Sequence, residues 1–590
     1  MKSTLSLSLL AVFMAWMCRA ADPYVGYIYP AGVQAGSTCR LIVGGQALQG
    51  VGAVWVSGEG VHVRNVEVVP NFPNPDGRQR QHLKRWLDGI ARGDRTEPPL
   101  PNNPNLDEWR SNRWWTALGT LDGQKLAIVE RDLFTPRNAL QASPSLRQMM
   151  LVTVSVDANA KPGTRQLVAM SGQGMSAPRP LHVTSAAHVA EPPYVPPHRR
   201  QPAPAETDAR VGSVTLDGQI MPGETDLFRL RLAAGRTYAF SVIARELQPY
   251  IGDAVPGFFN AALVLKDASG KAVARADDAD RFRPDPELLY TPETEGTYTL
   301  EIHDVLYRGR ADFVYSILVD DARTSPAADA DGVVAAPGQI CTKTFTVDAP
   351  GPRVLEVTAR RKGSPLDAVL TLRKEGGGPV LAQWDDMTNT VFTGTVPQGE
   401  CDPVGTYAFK APGRYVAEIS DRTGHGGPDY VWWLDVRRPQ PGFAVYSTRS
   451  TLPMKRGVPL QMGFRVVRKD GFAGAVEIEF PDYIAASGAV VTAGVDRVTA
   501  RLSLADDMLP HDVPGNKGMP FPIELFARAE IDGRTVRVPV VPCDEYEQAF
   551  AWKHLVPAGS FLFRTARGRG KAEGGKWRGK GPRNPKKRRK

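Results

Sequence analysis

Carboxylates are densest where Asp277, Asp278, Asp280 and Asp285 fall within nine positions, with Asp304 further on. Several oxygen ligands at such spacing suit a hard cation, and calcium is the one they point to. The spacing differs from the twelve-residue loop of an EF-hand. Aspartates in such runs also cap turns by accepting main-chain N–H groups, so both readings stay open. A second group, Trp109, Arg113, Trp114 and Trp115, offers flat faces that could stack on sugars or bases. The same tryptophans could instead seal an insertion onto its neighbour while Arg110 and Arg113 stay solvated.

Nucleophilic chemistry finds less support. Gly174-Met175-Ser176-Ala177-Pro178 lacks the closing glycine of a Gly-x-Ser-x-Gly elbow. His303, His425 and His511 are scattered, without a His-Glu-x-x-His run. His425, inside Gly424-His425-Gly426-Gly427-Pro428, reads as a turn residue. No Cys/His grouping has zinc spacing, and no glycine-rich phosphate loop precedes a helix.

The elements that must position these groups are short. Gly 57 and Pro 50 in 590 residues, without a collagen period, favour turns and brief strands. That length corresponds to roughly four domains, and 42% hydrophobic residues are enough for their cores. Strand signals lie near Cys39–Val43, Ala53–Val56 and Val61–Val69, then at Met150–Val156, Arg165–Met170 and Leu181–Thr184. Gly44-Gly45 and Gly58-Glu59-Gly60 read as reversals between them. Residues 71–146 interrupt this unit with a helical insertion, because Leu83, Trp86, Leu87 and Ile90 recur on one helix face. Asp76 is placed to cap that helix and Gly93 to stop it.

Residues 185–207 form a Pro-rich linker whose six prolines favour an extended chain. From 208 to 322, Gly223-Glu224-x-Asp226-x-Phe228, Ala244-Arg245, Leu263-x-Leu265, Asp277-Asp278, Asp285-Pro286, Gly296-x-Tyr298 and Tyr307-x-Gly309 punctuate alternating runs. Residues 330–438 repeat the pattern through Phe345, Ala359-Arg360, Leu370-x-Leu372, Asp385-Asp386, Gly413-x-Tyr415 and Asp421. An insertion around Gln398-Gly399-Glu400-Cys401 sets the second copy apart. A further sandwich is expected over 443–545, with Asp470-Gly471 and Asp532-Gly533 as hairpin signals. Residues 546–590 hold an apolar segment to Phe563 and then a basic tail, which is too polar to bury a core and is expected to be disordered. The fold class that follows is mostly β, a tandem of antiparallel β-sandwich (Ig-like or jelly-roll-like) domains with a small helical insertion and a disordered basic tail.

These marks support two resemblances. The run over 208–322, and its copy over 330–438, resembles the bacterial pre-peptidase C-terminal domain, a β-sandwich appended to secreted proteins. Tyr29-Pro30-Ala31-Gly32 with Gly36-Ser37-Thr38 resembles the opening of an IPT/TIG module, here over 21–184. The combination resembles large secreted proteins of planctomycete-like bacteria. These resemblances imply accessory modules and carry no reaction with them.

Lys2, the apolar stretch Leu5–Met17 and Cys18-Arg19-Ala20 read as a signal peptide over residues 1–20. The expected location is therefore secreted, periplasmic or at the cell envelope, with no transmembrane span in the mature chain. The net charge of +9 is uneven: thirteen Lys/Arg follow from Arg564, leaving 57 basic and 62 acidic residues between Ala21 and Phe563. Cys341 and Cys401 share a domain and are the one plausible disulfide pair, whereas Cys39 shares a strand face with Leu41 and Val43.

The function expected is binding or adhesion to an envelope or matrix polysaccharide or protein, without catalysis. Two alternatives remain. One is a peptidase-associated partner or an enzyme whose site lies in 71–146. The other is polyanion binding through the basic tail, since neutralised phosphates or sulfates release counterions. No cofactor is expected unless the aspartates hold calcium.

Overall fold

An apolar run of three or four residues in a strand buries both faces, whereas alternation buries one. The computed structural model describes residues 22–72, 74–99, 112–134, 143–172, 174–191, 207–209, 214–247, 257, 259–277, 285–321, 329–385, 402–505, 518–548 and 552–565. Within them the chain is mostly β, in successive antiparallel two-layer units.

The first unit has strands β1 (Tyr24–Tyr29), β2 (Gly32–Gln34), β3 (Thr38–Gln46), β4 (Val51–Val56) and β5 (Val61–Val68). After the insertion come β6 (Gln148–Val156), β7 (Gly163–Ser171) and β8 (Arg179–Thr184). Sheet β1-β3-β6-β5 faces sheet β2-β8-β7-β4, with Leu41, Val43, Val54, Val152, Leu167 and Leu181 between them. The other face of the first sheet is apolar as well. Ile42 and Leu151 join Tyr27 beneath helices α1 (Gly77–Ala91), α2 (Arg113–Thr116) and α3 (Gly123–Phe134). Asp76 caps α1 as its sequence requires, accepting from Arg78 N and Gln79 N at 2.8 Å, and Gly93 follows it at φ 92°. Gly44 lies within β3 and makes no reversal. It is small because the Tyr27 ring crosses it, 1.9 Å from where a Cβ would stand.

The second unit begins inside the stretch read as a linker. Strand β9 (Ala187–Ala190) adds in parallel to β11 (Val214–Gln219); residues 192–206 lie outside the described ones. Its other strands are β10 (Thr207–Ala209), β12 (Asp226–Leu232), β13 (Tyr238–Ile243), β14 (Ala261–Lys266), β15 (Ala272–Ala276), β16 (Glu287–Tyr290), β17 (Gly296–Asp304) and β18 (Val314–Asp321). The sheets run β10-β12-β17-β14-β15 and β16-β13-β18-β11-β9.

The third unit contains β19 (Gly332–Val333), β20 (Ile340–Val347), β21 (Gly351–Thr358), β22 (Ala368–Lys374), β23 (Ala382–Trp384), β24 (Val404–Phe409), β25 (Gly413–Asp421) and β26 (Val431–Arg437). Its sheets, β20-β25-β22-β23 and β24-β21-β26-β19, repeat the order of the second unit without β9 and β10. Register refines the pairing of the two copies. Leu230 faces Tyr298 as Phe345 faces Tyr415, so the partner of Phe228 is Lys343 and not Phe345.

Two corners are built alike in both copies. Asp285 accepts main-chain N–H bonds from Ala244 and Arg245 at 2.8 Å. Asp402 accepts them from Ala359, Arg360 and Arg361 at 3.0, 2.9 and 3.2 Å. Asp402-Pro403 is therefore the counterpart of Asp285-Pro286, an echo the residue spacing hides behind the inserted 398–401.

The fourth unit comprises β27 (Gly442–Ser447), β28 (Thr451–Met454), β29 (Leu460–Lys469), β30 (Val476–Glu479), β31 (Ile484–Ser487), β32 (Val490–Val491), β33 (Arg497–Leu504), β34 (Phe521–Ile523), β35 (Phe526–Ile531) and β36 (Arg534–Val541). Beyond them lie β37 (Cys543–Gln548), β38 (Trp552–Pro557) and β39 (Phe561–Thr565). Asp470-Gly471 and Asp532-Gly533 all have positive φ, as two-residue hairpin turns require. The apolar segment after Gln548 completes this unit, because β39 pairs with β28 and β34 and buries Phe561 and Phe563. Arg564, where the basic run begins, belongs to that strand and donates to Gly518 O at 2.8 Å. Residues 566–590 lie outside the described ones.

The last unit also touches the first. Leu562 packs with Val168, Met170 and Met175 of the first unit, and Arg564 donates to Ser171 O at 3.1 Å.

Replacing Asp402 with alanine removes the acceptor of three main-chain N–H groups. A loss of about 2–4 kcal/mol is expected, read as an earlier denaturant midpoint for this unit. An unchanged midpoint would refute the corner.

Candidate functional site

The tryptophans chosen from the sequence as a contact surface are covered. Trp114 and Trp115 are each 2% exposed, and Asn112 caps α2 by accepting from their N–H groups at 3.0 and 3.3 Å. Phe72 meets both rings, with centroids 6.0 and 6.3 Å away. Neither ring offers a stacking face, because the second face of sheet β1-β3-β6-β5 needs an apolar cover and the insertion supplies it. Arg113 stays largely exposed and donates to Val68 O at 3.1 Å. Trp109 lies outside the described residues. Trp115→Ala is expected to cost about 3–5 kcal/mol of stability through the cavity it leaves, measured by denaturant unfolding. A variant as stable as the parent would mean that the ring is not part of the core.

The carboxylates of Asp285 and Asp304 are committed elsewhere. Burial outweighs the N–H donors at Asp285 and pushes its carboxyl up to about 6. Asp304 is fully buried and accepts from the main-chain N–H groups of Asn260, Leu306 and Arg308 at 3.1, 3.0 and 3.2 Å. The guanidinium of Arg308 closes on both its oxygens at 2.9 Å. Asp421 holds the matching loop of the third unit by accepting from Thr423 N and His425 N at 3.0 and 2.9 Å, so His425 is a turn residue. Asp278 and Asp280 lie outside the described residues, and among the described ones no three His, Cys, Asp or Glu converge as metal ligands. Stripping divalent cations with a chelator is expected to leave the melting temperature unchanged; a fall of several degrees would assign a cation to Asp277–Asp280.

Cys341 is a free thiol that donates to Val333 O at 3.1 Å, and Cys401 lies outside the described residues. Cys39 packs against the first core, and burial pushes its thiol up to about 11.

One constellation escaped the sequence reading. At the junction of the first two units, Thr184 Oγ1 lies 2.7 Å from His188 Nε2, and His188 Nδ1 meets Asp217. Hydroxyl, imidazole and carboxylate in that order are the parts of an activated nucleophile. The packing leaves that role no room here. The Thr184 hydroxyl also reaches Ala186 O, to which it donates at 3.1 Å. The ring presses on Gly32, where a Cβ would stand 2.3 Å from Cε1, leaving no room for a substrate. The hydroxyl of Ser316 donates to the second oxygen of Asp217. The group bolts β9 onto β11. Only the coming together of a threonine, a histidine and an aspartate across 34 positions marks it, and no local motif signals that.

Open concave surface occurs on the fourth unit. A groove of about 810 Å³ runs between β30, β31 and β35, lined by Glu477, Glu479, Glu524, Phe526, Arg528 and Arg537 over an apolar floor. Glu477 pairs with Arg528 at 2.9 Å and Glu479 with Arg537 at 2.6 Å. The Arg537 guanidinium lies 3.4 Å over the Phe526 ring, and Val490 at the rim is 47% exposed. Exposed pairs of this kind hold little energy, so a ligand can exchange with them at small cost.

No family model and no curated protein matches the chain. Among solved structures, the N-terminal four Ig domains of Dscam1 isoform 1.9 align at 9% identity, covering 89% of this chain and 99% of that one with a TM-score of 0.16. The fibronectin(III)-like modules of Clostridium thermocellum CbhA align at 12% identity over 41% of this chain and 93% of that one, TM-score 0.11. A Salmonella alpha-2-macroglobulin mutant aligns at 9% identity over 90% of this chain and 31% of that one, TM-score 0.12. Superpositions this loose carry no argument, and the fold rests on the sheets described above.

Proposed function

We propose that this chain is an exported, multi-unit β-sandwich protein that acts by binding, and that the groove on its fourth unit is a contact surface. The observation that carries this reading is a contrast in the use of polar side chains. Asp217, Asp285, Asp304 and Asp402 are spent on main-chain or side-chain partners at corners and junctions. The groove instead presents carboxylates, guanidiniums and an aromatic ring on open surface. An extended polar ligand with apolar faces, either a polysaccharide or a peptide segment, fits that lining. The export-like first twenty residues and the resemblance to IPT/TIG and pre-peptidase C-terminal modules support an envelope or extracellular setting. No helix among the described residues is long and apolar enough to cross a membrane.

Glycan and peptide arrays probed with the full chain test the reading. Binding is expected, and the double variant E479A/R537A is expected to weaken it at least about tenfold, the worth of 1.4 kcal/mol. Turnover in a broad hydrolase screen, abolished by one polar substitution, would favour the enzyme reading instead.

The basic residues from Arg567 onward support a second contact, with polyanions. Truncation after Thr565 is expected to abolish retention on heparin; undiminished retention would move that contact to the folded units.

A further inference from the structure

Strand β31 ends its sheet, pairing with β33 on one side and with no described strand on the other. Just before it, Tyr483 O accepts from Ala505 N at 3.1 Å, so Tyr483 and Ala505 are a hydrogen-bonded pair of that antiparallel ladder. Bonded and non-bonded pairs alternate along such a ladder. Ala485 and Ser487 therefore bond to β33, and the main-chain groups of Ile484 and Ala486 point the other way. Ile484 N turns back to Pro481 O at 2.8 Å. Ile484 O and both main-chain groups of Ala486 have no hydrogen-bond partner among the described residues.

That edge borders the groove of the fourth unit. Ile484 and Ala486 line it together with Glu477, Glu479, Arg528 and Arg537. Ala485, Ala486 and Ser487 are small and exposed, so no bulky side chain shields the backbone from an incoming strand. An uncovered edge is ordinarily guarded by a charge or a proline, as Lys343 guards β20, and β31 has neither. A carbonyl, an N–H and a carbonyl follow one another along it, and a polypeptide strand answers each at the same repeat. Sugar hydroxyls carry no such fixed alternation.

We propose, on the reading of this groove as a contact surface, that its ligand is an extended polypeptide segment that adds to β31 as a further strand. Main-chain bonds to Ile484 and Ala486 supply the affinity. Side chains of both signs on the segment exchange with the exposed Glu477–Arg528 and Glu479–Arg537 pairs and set its sequence preference. The four residues of β31 span about 13 Å at roughly 3.3 Å each, and an octapeptide covers them with its flanks.

A library of random octapeptides and a glycan array, both offered to the full chain, decide between the two ligand classes. Octapeptides are expected to bind, and E479A/R537A to weaken them. Ala486→Pro removes the outward N–H while sparing the ladder to β33, and is expected to weaken octapeptide binding at least about tenfold. Methylating the amide nitrogens of a bound octapeptide one at a time is expected to give a similar loss, at alternate positions only. That scan is made on the parent protein and serves should Ala486→Pro not fold. Octapeptides held equally well by Ala486→Pro, or indifferent to methylation at every position, would overturn strand addition. So would binding of glycans alone, weakened by E479A/R537A, which leaves the groove a contact surface. Binding of neither class, or binding that E479A/R537A leaves unchanged, removes the groove as a contact surface and the added strand with it.

Discussion

A main-chain N–H group cannot be buried without an acceptor, and in the repeated units the acceptor at two corners is an aspartate. Where a strand ends and the chain turns between sheets, the sheet ladder has run out. Asp285 and Asp402 take over there by accepting from the residues after β13 and β21. Asp304 and Asp421 do the same beyond β17 and β25. Those four aspartates hold the loops that leave β13, β17, β21 and β25. Left-handed geometry at the third residue past the second aspartate marks the loop in both copies. Gly424 has φ 76° and Tyr307 φ 53° at that position, and Asp304 with its clamp on Arg308 is what holds a tyrosine in a region that favours glycine.

The repeated units also show two answers to one problem of sheet edges. In the second unit, β12 is covered by β10, which pairs with it in parallel. In the third, the equivalent strand β20 ends its sheet among the described residues. An uncovered eight-residue edge invites pairing with another chain. The register places Lys343 on β20 where β12 has Phe228, and its ammonium pairs with Asp331. A charge directed toward the sandwich interior makes edge-to-edge pairing costly, since a partner strand would have to desolvate it.

Much of the fold was legible because period and turn chemistry are local. Asp-Gly hairpins, the Asp76 cap and the i, i+3, i+4 face of α1 can each be read within a few residues. The repeat was legible through Gly-x-Tyr and Ala-Arg, and both tyrosines indeed donate back four residues, to Thr294 O and Ala411 O at 3.0 Å. What stayed open or was misread depends on which surface covers which. Trp114 and Trp115 are aromatic and close in sequence whether exposed or buried. The signal that decides their fate lies elsewhere, in Leu41-Ile42-Val43 and Met149-Met150-Leu151-Val152, whose unbroken apolar character calls for cover on both faces of a sheet. The Gly44-Gly45 pair was read as a turn for the same reason. Nothing within β3 shows that the ring of Tyr27 will cross it. The junction residues were invisible, since His188 falls in the stretch read as a linker and its partners Thr184 and Asp217 lie on β8 and β11.

A chain of sandwiches joined by linkers should behave as separate beads, yet the contacts of the first unit argue otherwise. β9 extends directly from it into the second unit's sheet. Arg179 of β8, 3% exposed, donates to Val25 O at 2.8 Å and lies 5.0 Å over the ring of Tyr546 in the last unit. Asp22 pairs with Arg449 at 3.0 Å. The first unit is therefore held by its neighbour in sequence and by the unit furthest from it. Such a closure makes the last strand structural, and Arg564 within it serves the fold.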